Sequence, residues 1–508
     1  MTVAPGWLGD RSWRRRLLRW STHPLLIAVA LLLTSMAWVV ASPLGAEPDA
    51  DFHLTSIWCQ NASESSRCER GYLVNGDVAV KTYAAFDIPC FARYQWKSAS
   101  CQKITTATYY TERVNDGDYP PGFYWVMGLF ASHKVVVSVL VMRTLNALLF
   151  LGLIGSVFWL ADPRVRQSMA RALTIALVPM GLFLISSINP STWAITGIAV
   201  QFFALLAIGE ARGRWRPIVL ALLATLGGAM AAEARGDAGA YAGGVSILVA
   251  WLAFPLIKER RWRWVGFLLP ALFGLLTFFG SRQTTGEIGG SSSREPDAFN
   301  LFHILSVPLG NFGIGGNLGW LDTPTPPATW ALMLFVFGAV LLTEIRGLGW
   351  RRALAATGVG IAALALPYLM LQRGGFAVGE FVQPRYMLPL LIVLLGVITW
   401  RSEDRLPSRD AVPAVAVVVA LTIAQSAALY ANLLRYTNGF VPYLLGAEVD
   451  WWWPTPIGPQ AVWIVGSLAF GFVVAALLYR VGPGQLPPVG GAGDQQSRAA
   501  ELKKATAA

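Results

Sequence analysis

Between Pro24 and Tyr479 the chain repeats one pattern, an apolar run followed by a polar connection. The runs occupy approximately 24–43, 135–160, 171–188, 191–209, 216–232, 238–257, 264–280, 328–343, 352–371, 385–400, 411–433 and 460–479. A stretch of about 20 apolar residues crosses the hydrocarbon of a bilayer as a helix, so the pattern predicts about twelve spans. With only 14% of residues charged, an ordinary soluble domain is excluded. The expected fold is an all-α polytopic membrane bundle.

A net charge of +11 raises the question of nucleic acid, and the placement of the charges answers it. Arg11, Arg14, Arg15, Arg16 and Arg19 precede the first run, and Arg164/Arg166/Arg171, Arg212/Arg214/Arg216, Lys258/Arg260/Arg261/Arg263, Arg346/Arg351/Arg352 and Arg401/Arg405/Arg409 fill alternate connections. With about twelve spans every cluster falls on the side of the amino terminus, which cationic loops assign to the cytoplasm. Basicity therefore reports topology in a cytoplasmic membrane, with no nucleic-acid partner and membrane lipids all around. Residues 1–23 form a basic cytoplasmic segment, and 24–480 form the membrane domain. The first run reads as a retained anchor; Ala41 and Ala46 are small enough for the alternative, a processed signal peptide. The tail 481–508 has Gly, Pro and Gln without apolar periodicity and reads as disordered and cytoplasmic.

The opposite side collects the long connections 44–134, 281–327, 372–384 and 434–459. All four cysteines, Cys59, Cys68, Cys90 and Cys101, lie in the first of these. An even number confined to one external loop suggests disulfides, and nearest-neighbour pairing is preferred among three connectivities. No pair has the close spacing of a zinc site. The Gly-, Ser- and Pro-rich 281–327 segment is the candidate for a mobile cover over a site. Trp451, Trp452 and Trp453 suit the headgroup boundary, with stacking on a sugar ring as the alternative.

Chemistry is concentrated at Pro48-Asp49-Ala50-Asp51-Phe52-His53. If the chain turns helical after Pro48, Asp49 and His53 share one face and can converge on a substrate hydroxyl, while Asp51 points elsewhere. Capping of the helix by Asp49 is the simpler role and is compatible with the first. Asp118-Tyr119-Pro120-Pro121-Gly122-Phe123-Tyr124-Trp125 closes the loop, its double proline suiting the first turn of a helix at the membrane interface. Arg143 lies inside the second span, Glu233, Arg235 and Asp237 at the outer end of the fifth, and Arg385 starts the tenth. Charges at such depth normally face a partner or a polar cavity, although snorkelling or a structural ion pair is the plain alternative. The planar fork of Arg385 suits a lipid-linked phosphate.

Pro48-Asp49-x-x-x-His53, Tyr119-Pro120-Pro121-Gly122-Phe123-Tyr124, Met142-Arg143-Thr144-Leu145-Asn146 and Pro384-Arg385-Tyr386-Met387-Leu388-Pro389, in that order, are similar to the bacterial domain-of-unknown-function family 2142. That family resembles the GT-C class of membrane glycosyltransferases. The family often carries a second acid directly after the first Asp; here that place is Ala50, with Asp51 one further on. The resemblance covers approximately 24–480 and implies a GT-C-like fold that transfers a sugar from a polyprenyl-phosphate donor to an extracytoplasmic cell-envelope acceptor, by a single inverting displacement. It implies Asp49, with Asp51 and His53, as catalytic residues, Asp49 being the general base. Arg385, Tyr386, Arg235, Arg143, Asp118 and Tyr119 are the implied substrate-binding residues. The implied chemistry needs no cofactor or metal; a divalent cation held by Asp49, Asp51 and His53 is the alternative, for which two acids and one imidazole make a weak case without a fourth ligand. A lipid or polysaccharide transporter and a non-catalytic envelope-assembly scaffold are the rival classes. The chain shows no internal repeat of the kind many carriers have.

Overall fold

A computed structural model describes residues 23–60, 68–72, 78–82, 89–102, 110–257, 261–280, 298–400, 411–439, 445, 450–453 and 456–480. The expectations for 1–22 and for the tail lie outside the described residues. In chain order the helices are α1 (Pro24–Val40), α2 (Ala50–Gln60), α3 (Gly122–Gly128), α4 (Val135–Leu160), α5 (Pro163–Ala176), α6 (Met180–Ile185), α7 (Pro190–Glu210), α8 (Trp215–Ala232), α9 (Gly236–Ile257) and α10 (Val265–Gly280). They continue with α11 (Ala298–His303), α12 (Ser306–Leu309), α13 (Pro327–Ile345), α14 (Trp350–Gly374), α15 (Leu388–Thr399), α16 (Ala411–Asn438) and α17 (Pro459–Arg480). Three short strands, β1 (Cys68–Tyr72), β2 (Val78–Thr82) and β3 (Tyr110–Thr111), form an antiparallel sheet in that order.

Among the described residues nine helices are long and apolar enough to cross a membrane. Three of the expected runs differ. Helices α1 and α15 are shorter, and the run 171–188 is split between α5 and α6, because Pro179 has no amide proton to continue the ladder. Several helices begin where a proline costs nothing, since the first amides of a helix lack intrahelical partners. Pro190 opens α7 this way, and the Asn189 side chain accepts the Ser191 amide proton. Helix α7 is buried along its whole membrane-spanning window and forms the axis of the bundle, packing against α4, α8, α9 and α15. Where α7 crosses α8, Gly197 and Gly227 meet backbone to backbone, an approach that any Cβ would block.

The two ends of the bundle differ in chemistry. At one end the arginines of alternate connections bond to neighbouring helix ends: Arg263 to the carbonyls of Ile208 and Ala211, Arg171 to Glu344 at 3.0 Å, Arg352 to the carbonyls of Trp400 and Gly347, and the Trp400 indole to Glu210 at 3.2 Å. At the other end lie α2, the sheet and α3. Cys59 is bonded to Cys68 and Cys90 to Cys101, the nearest-neighbour pairing expected. The first of these cystines ties the end of α2 to β1.

Part of the expected mobile cover is packed structure. Phe312, Leu318 and Trp320 are buried, the Trp320 indole donates to the Gly45 carbonyl at 2.8 Å, and Gly310 lies against Pro384. Residues 281–297 lie outside the described residues. The tryptophan triplet turns inward: Trp453 is buried with its indole on the Val40 carbonyl at 2.8 Å, and Trp452 packs edge-on against Tyr436.

Candidate active site

Asp49 sits immediately before α2 with a backbone φ of 56°, in the left-handed region that Asp tolerates better than most residues. Its carbonyl starts the helix by accepting the His53 amide proton at 2.9 Å, which leaves its carboxylate free for work other than capping. The scaffold behind it is built from the intramembrane polar residues of α4. Arg143 is buried and donates to the Glu47 carboxylate and to the carbonyls of Val39, Ser42 and Pro43, closing the end of α1. Asn189 donates to the Pro48 carbonyl at 3.0 Å, and Asn146, four residues from Arg143's turn neighbour Met142, donates to the Ser187 carbonyl at 2.8 Å. Arg143 thus stands apart from the other predicted substrate-binding residues and fixes the segment that presents Asp49. This corrects its expected contact with substrate, since all three of its nitrogens are already engaged.

Across the cleft, the 3-10 turn Pro384–Tyr386 delivers Arg385. Its Nη2 lies 2.9 Å from Asp49 Oδ2, joining residues 336 positions apart. The Asp49 side chain is 44% exposed and that of Arg385 only 6%. Arg385 Nε is buried without a hydrogen-bond partner, so the guanidinium keeps an unused donor. Arg235, between α8 and α9, holds Asp237 through two bonds of 2.9 and 2.8 Å and donates to Ser191 at 3.1 Å. Its guanidinium also stacks on the Tyr386 ring at 3.6 Å, which fixes that ring beside Arg385.

Asp51 is buried and spends both oxygens on Arg113, at 2.8 and 3.2 Å. Arg113 Nη2 also reaches to 3.7 Å from Asp49 Oδ1. Asp51 therefore holds a second cation beside the first acid and does not itself face an acceptor. Arg113 follows β3 on the return from the cystine-stapled insert, and nothing in its local sequence marks it. His53 is buried, its Nδ1 2.9 Å from the Tyr124 hydroxyl, and its ring packs on Phe52 and Tyr119. Tyr124 is itself buried, while its neighbour Trp125 is exposed. Tyr119 joins the cluster by its ring, whereas Asp118 is exposed to solvent.

Electrostatics assign protonation states. Burial pushes the Asp49 carboxyl up, but Arg385 and Arg113 outweigh it and hold the group below the ordinary carboxylate value, so Asp49 is ionised. Burial drives the His53 imidazole down to about 3, and it is neutral. Burial likewise raises Tyr119, which stays protonated. The resulting arrangement is one accessible carboxylate between two guanidinium groups, over a neutral imidazole. It can take a proton from a hydroxyl and neutralise a phosphate in the same place. Among the described residues no group of three or more His, Cys, Asp or Glu side chains is close enough to hold a metal ion.

Comparison with known proteins agrees with the membrane reading. No curated protein matches the chain. A crystal structure of ArnT from Cupriavidus metallidurans bound to undecaprenyl phosphate is similar at a TM-score of 0.43 and 15% identity, covering 90% of this chain and 77% of that one. At that distance no residue is carried across. The model of the DUF2142 family, described as a predicted membrane protein, matches residues 32–395, well over half of the chain, and the protein belongs to that family.

Proposed function

We propose that the protein is a GT-C-like membrane glycosyltransferase that moves a sugar from a polyprenyl-phosphate donor to a cell-envelope acceptor on the extracytoplasmic side. The observation that carries this reading is the contact between Asp49 and Arg385 at the end of the bundle opposite the arginine-rich connections. Asp49 removes the proton of the acceptor hydroxyl as that oxygen bonds to the anomeric carbon. The bond from the anomeric carbon to the phosphate oxygen breaks, the polyprenyl phosphate leaves with the electron pair, and the configuration inverts. Arg385, through its unpartnered Nε, stabilises the charge on the leaving phosphate, with Tyr386 held in place by the stacked Arg235.

The resting pair also supplies a switch in basicity. A donor phosphate competes with Asp49 for the Arg385 guanidinium, and loss of that partner raises the carboxylate's affinity for a proton. Asp49 thus becomes a stronger base only when donor is bound. Asp51 and Arg113 act as positioning residues, and His53 supports the Asp49 turn from behind.

The test uses the full-length protein in lipid nanodiscs, a radiolabelled polyprenyl-phosphate sugar pool and crude envelope acceptor. Wild type is expected to transfer label; Asp49→Asn is expected to lose at least about a thousandfold in rate, as for removal of a catalytic base, while Asp51→Asn keeps measurable transfer. Full activity in Asp49→Asn overturns the assignment. Movement of substrate across proteoliposomes without a new glycosidic bond supports a transporter.

A further inference from the structure

A second concavity adjoins the cluster through Tyr119. It has a volume of about 580 Å³ and lies between the 115–121 loop, Glu233 and the last turns of α10. One wall is apolar, with Phe273 and Leu276, and ends at Gly280. Leu272, Leu276 and Phe279 of the same helix are 58%, 64% and 74% exposed, so this wall faces lipid. The other wall carries Tyr119, Asp116 and Glu233. Tyr119 is common to both places, because its ring packs on His53 at 5.7 Å while the residue also lines the cavity.

We infer that this cavity receives the acceptor, and that the acceptor is an amphiphile with a hydroxyl-bearing head free of phosphate. The inference rests on the transfer reading and adds the class of its second substrate. Its charge is the argument. Among the described residues lining the cavity there is no lysine or arginine, and two carboxylates are present, so an anionic head meets repulsion. Arg113, Arg235 and Arg385 all gather around Asp49 and Tyr386, where a phosphate is neutralised. Carboxylates and a phenol are instead suited to accept from and donate to sugar hydroxyls. The exposed apolar wall suits an alkyl tail that enters from the bilayer, and places the head beside Tyr119.

The probe is a diazirine-bearing dodecyl glucoside added to the full-length protein in nanodiscs, with labelled residues read by mass spectrometry. Labelling is expected within 115–121 and 273–280, and unlabelled dodecyl glucoside is expected to suppress it at about tenfold lower concentration than dodecyl phosphate. Gly280→Trp adds bulk at the end of the cavity, at a position where a Cβ meets nothing within 4 Å, and its unfolding midpoint is measured beside the labelling. It is expected to cut labelling at least about fivefold and raise the acceptor KM, while farnesyl phosphate binding stays unchanged. Asp116→Lys is expected to reverse the preference toward dodecyl phosphate. Labelling elsewhere, equal competition by dodecyl phosphate in wild type, or an unaffected Gly280→Trp overturns the assignment. The labelling and competition readouts need no turnover: labelling as expected in a protein that never transfers sugar sinks the transfer reading and leaves an amphiphile site. Transfer that proceeds with the same acceptor KM in Gly280→Trp sinks the cavity assignment alone.

Discussion

Two arginine–carboxylate pairs stand near the same turn, Arg143 with Glu47 and Arg385 with Asp49, and their surroundings set them apart. The side chains of Arg143 and Glu47 are 1% and 2% exposed, and the remaining Arg143 nitrogens are spent on carbonyls at the end of α1. Asp49 is 44% exposed and Arg385 keeps an unpartnered Nε. Identical chemistry thus serves two purposes. A sealed pair with every guanidinium nitrogen engaged serves to hold its two segments together. A pair left open on one side, with a donor in reserve, has capacity for a ligand.

The largest expected effect breaks the sealed pair. Arg143→Met leaves Glu47 buried without its cation, and loss of one member of a buried pair costs about 3–5 kcal/mol. Thermal unfolding in nanodiscs is expected to show that loss, and Arg143→Met combined with Glu47→Gln to recover much of it. A single variant as stable as wild type means that the buried pair does not anchor the turn.

Next comes the open pair. Arg385→Lys keeps the charge but loses the planar fork and the Nε donor. A fall in kcat/KM of about a hundredfold is expected, or about 2.7 kcal/mol of transition-state stabilisation, with an unfolding midpoint close to wild type. The opposite pattern, stable activity with lowered stability, places Arg385 with Arg143 as a structural residue.

A pH-dependent effect separates the buried imidazole from the accessible acid. His53 has its pKa lowered from 6.5 to about 3, so between these values the unfolded chain holds a proton that the folded chain does not. Its contribution to stability is therefore complete above pH 6.5 and lost progressively as pH falls toward 3, by at most about 1.4 kcal/mol per unit. His53→Asn is expected to flatten the unfolding midpoint against pH between 4 and 6.5. An unchanged slope means His53 is not the neutral buried group assigned here. Asp49, with its pKa lowered, keeps its charge throughout that window.

The sequence made the membrane bundle legible because spanning helices must satisfy their own backbone, and the length and polarity of each run then follow from the bilayer. It failed where that rule does not apply: Pro179 splits the third run into helices too short to cross alone, and 307–325 is packed structure despite its Gly and Pro content. Within the site, Asp49, His53, Tyr119, Arg235 and Arg385 were visible as polar groups where lipid was expected nearby. Arg143 carried the same signal for a different reason, since depth in a span marks a partner and does not say whether that partner is protein or ligand. Arg113 gave no signal, because an arginine in a polar external loop is ordinary until the chain returns it to Asp49.

The smallest expected effect concerns that residue. Arg113 is 53% exposed and Asp49 44% exposed in their side chains, so the ion pair between these two is screened by water and worth no more than about 1 kcal/mol. Arg113→Ala, combined with Asp51→Asn so that no buried carboxylate is left unpaired, is expected to lower kcat/KM about fivefold and to shift the acid limb of the pH–rate profile upward, because Asp49 loses one of two neighbouring cations. Arg113→Lys is expected to restore that limb, since it returns a charge without the fork. A profile unmoved in the double variant separates Arg113 from Asp49 altogether and leaves the acid governed by Arg385 alone. In that case the cystine-stapled insert only covers the outer end of the bundle, and the open pair owes its lowered pKa to the turn that carries Arg385.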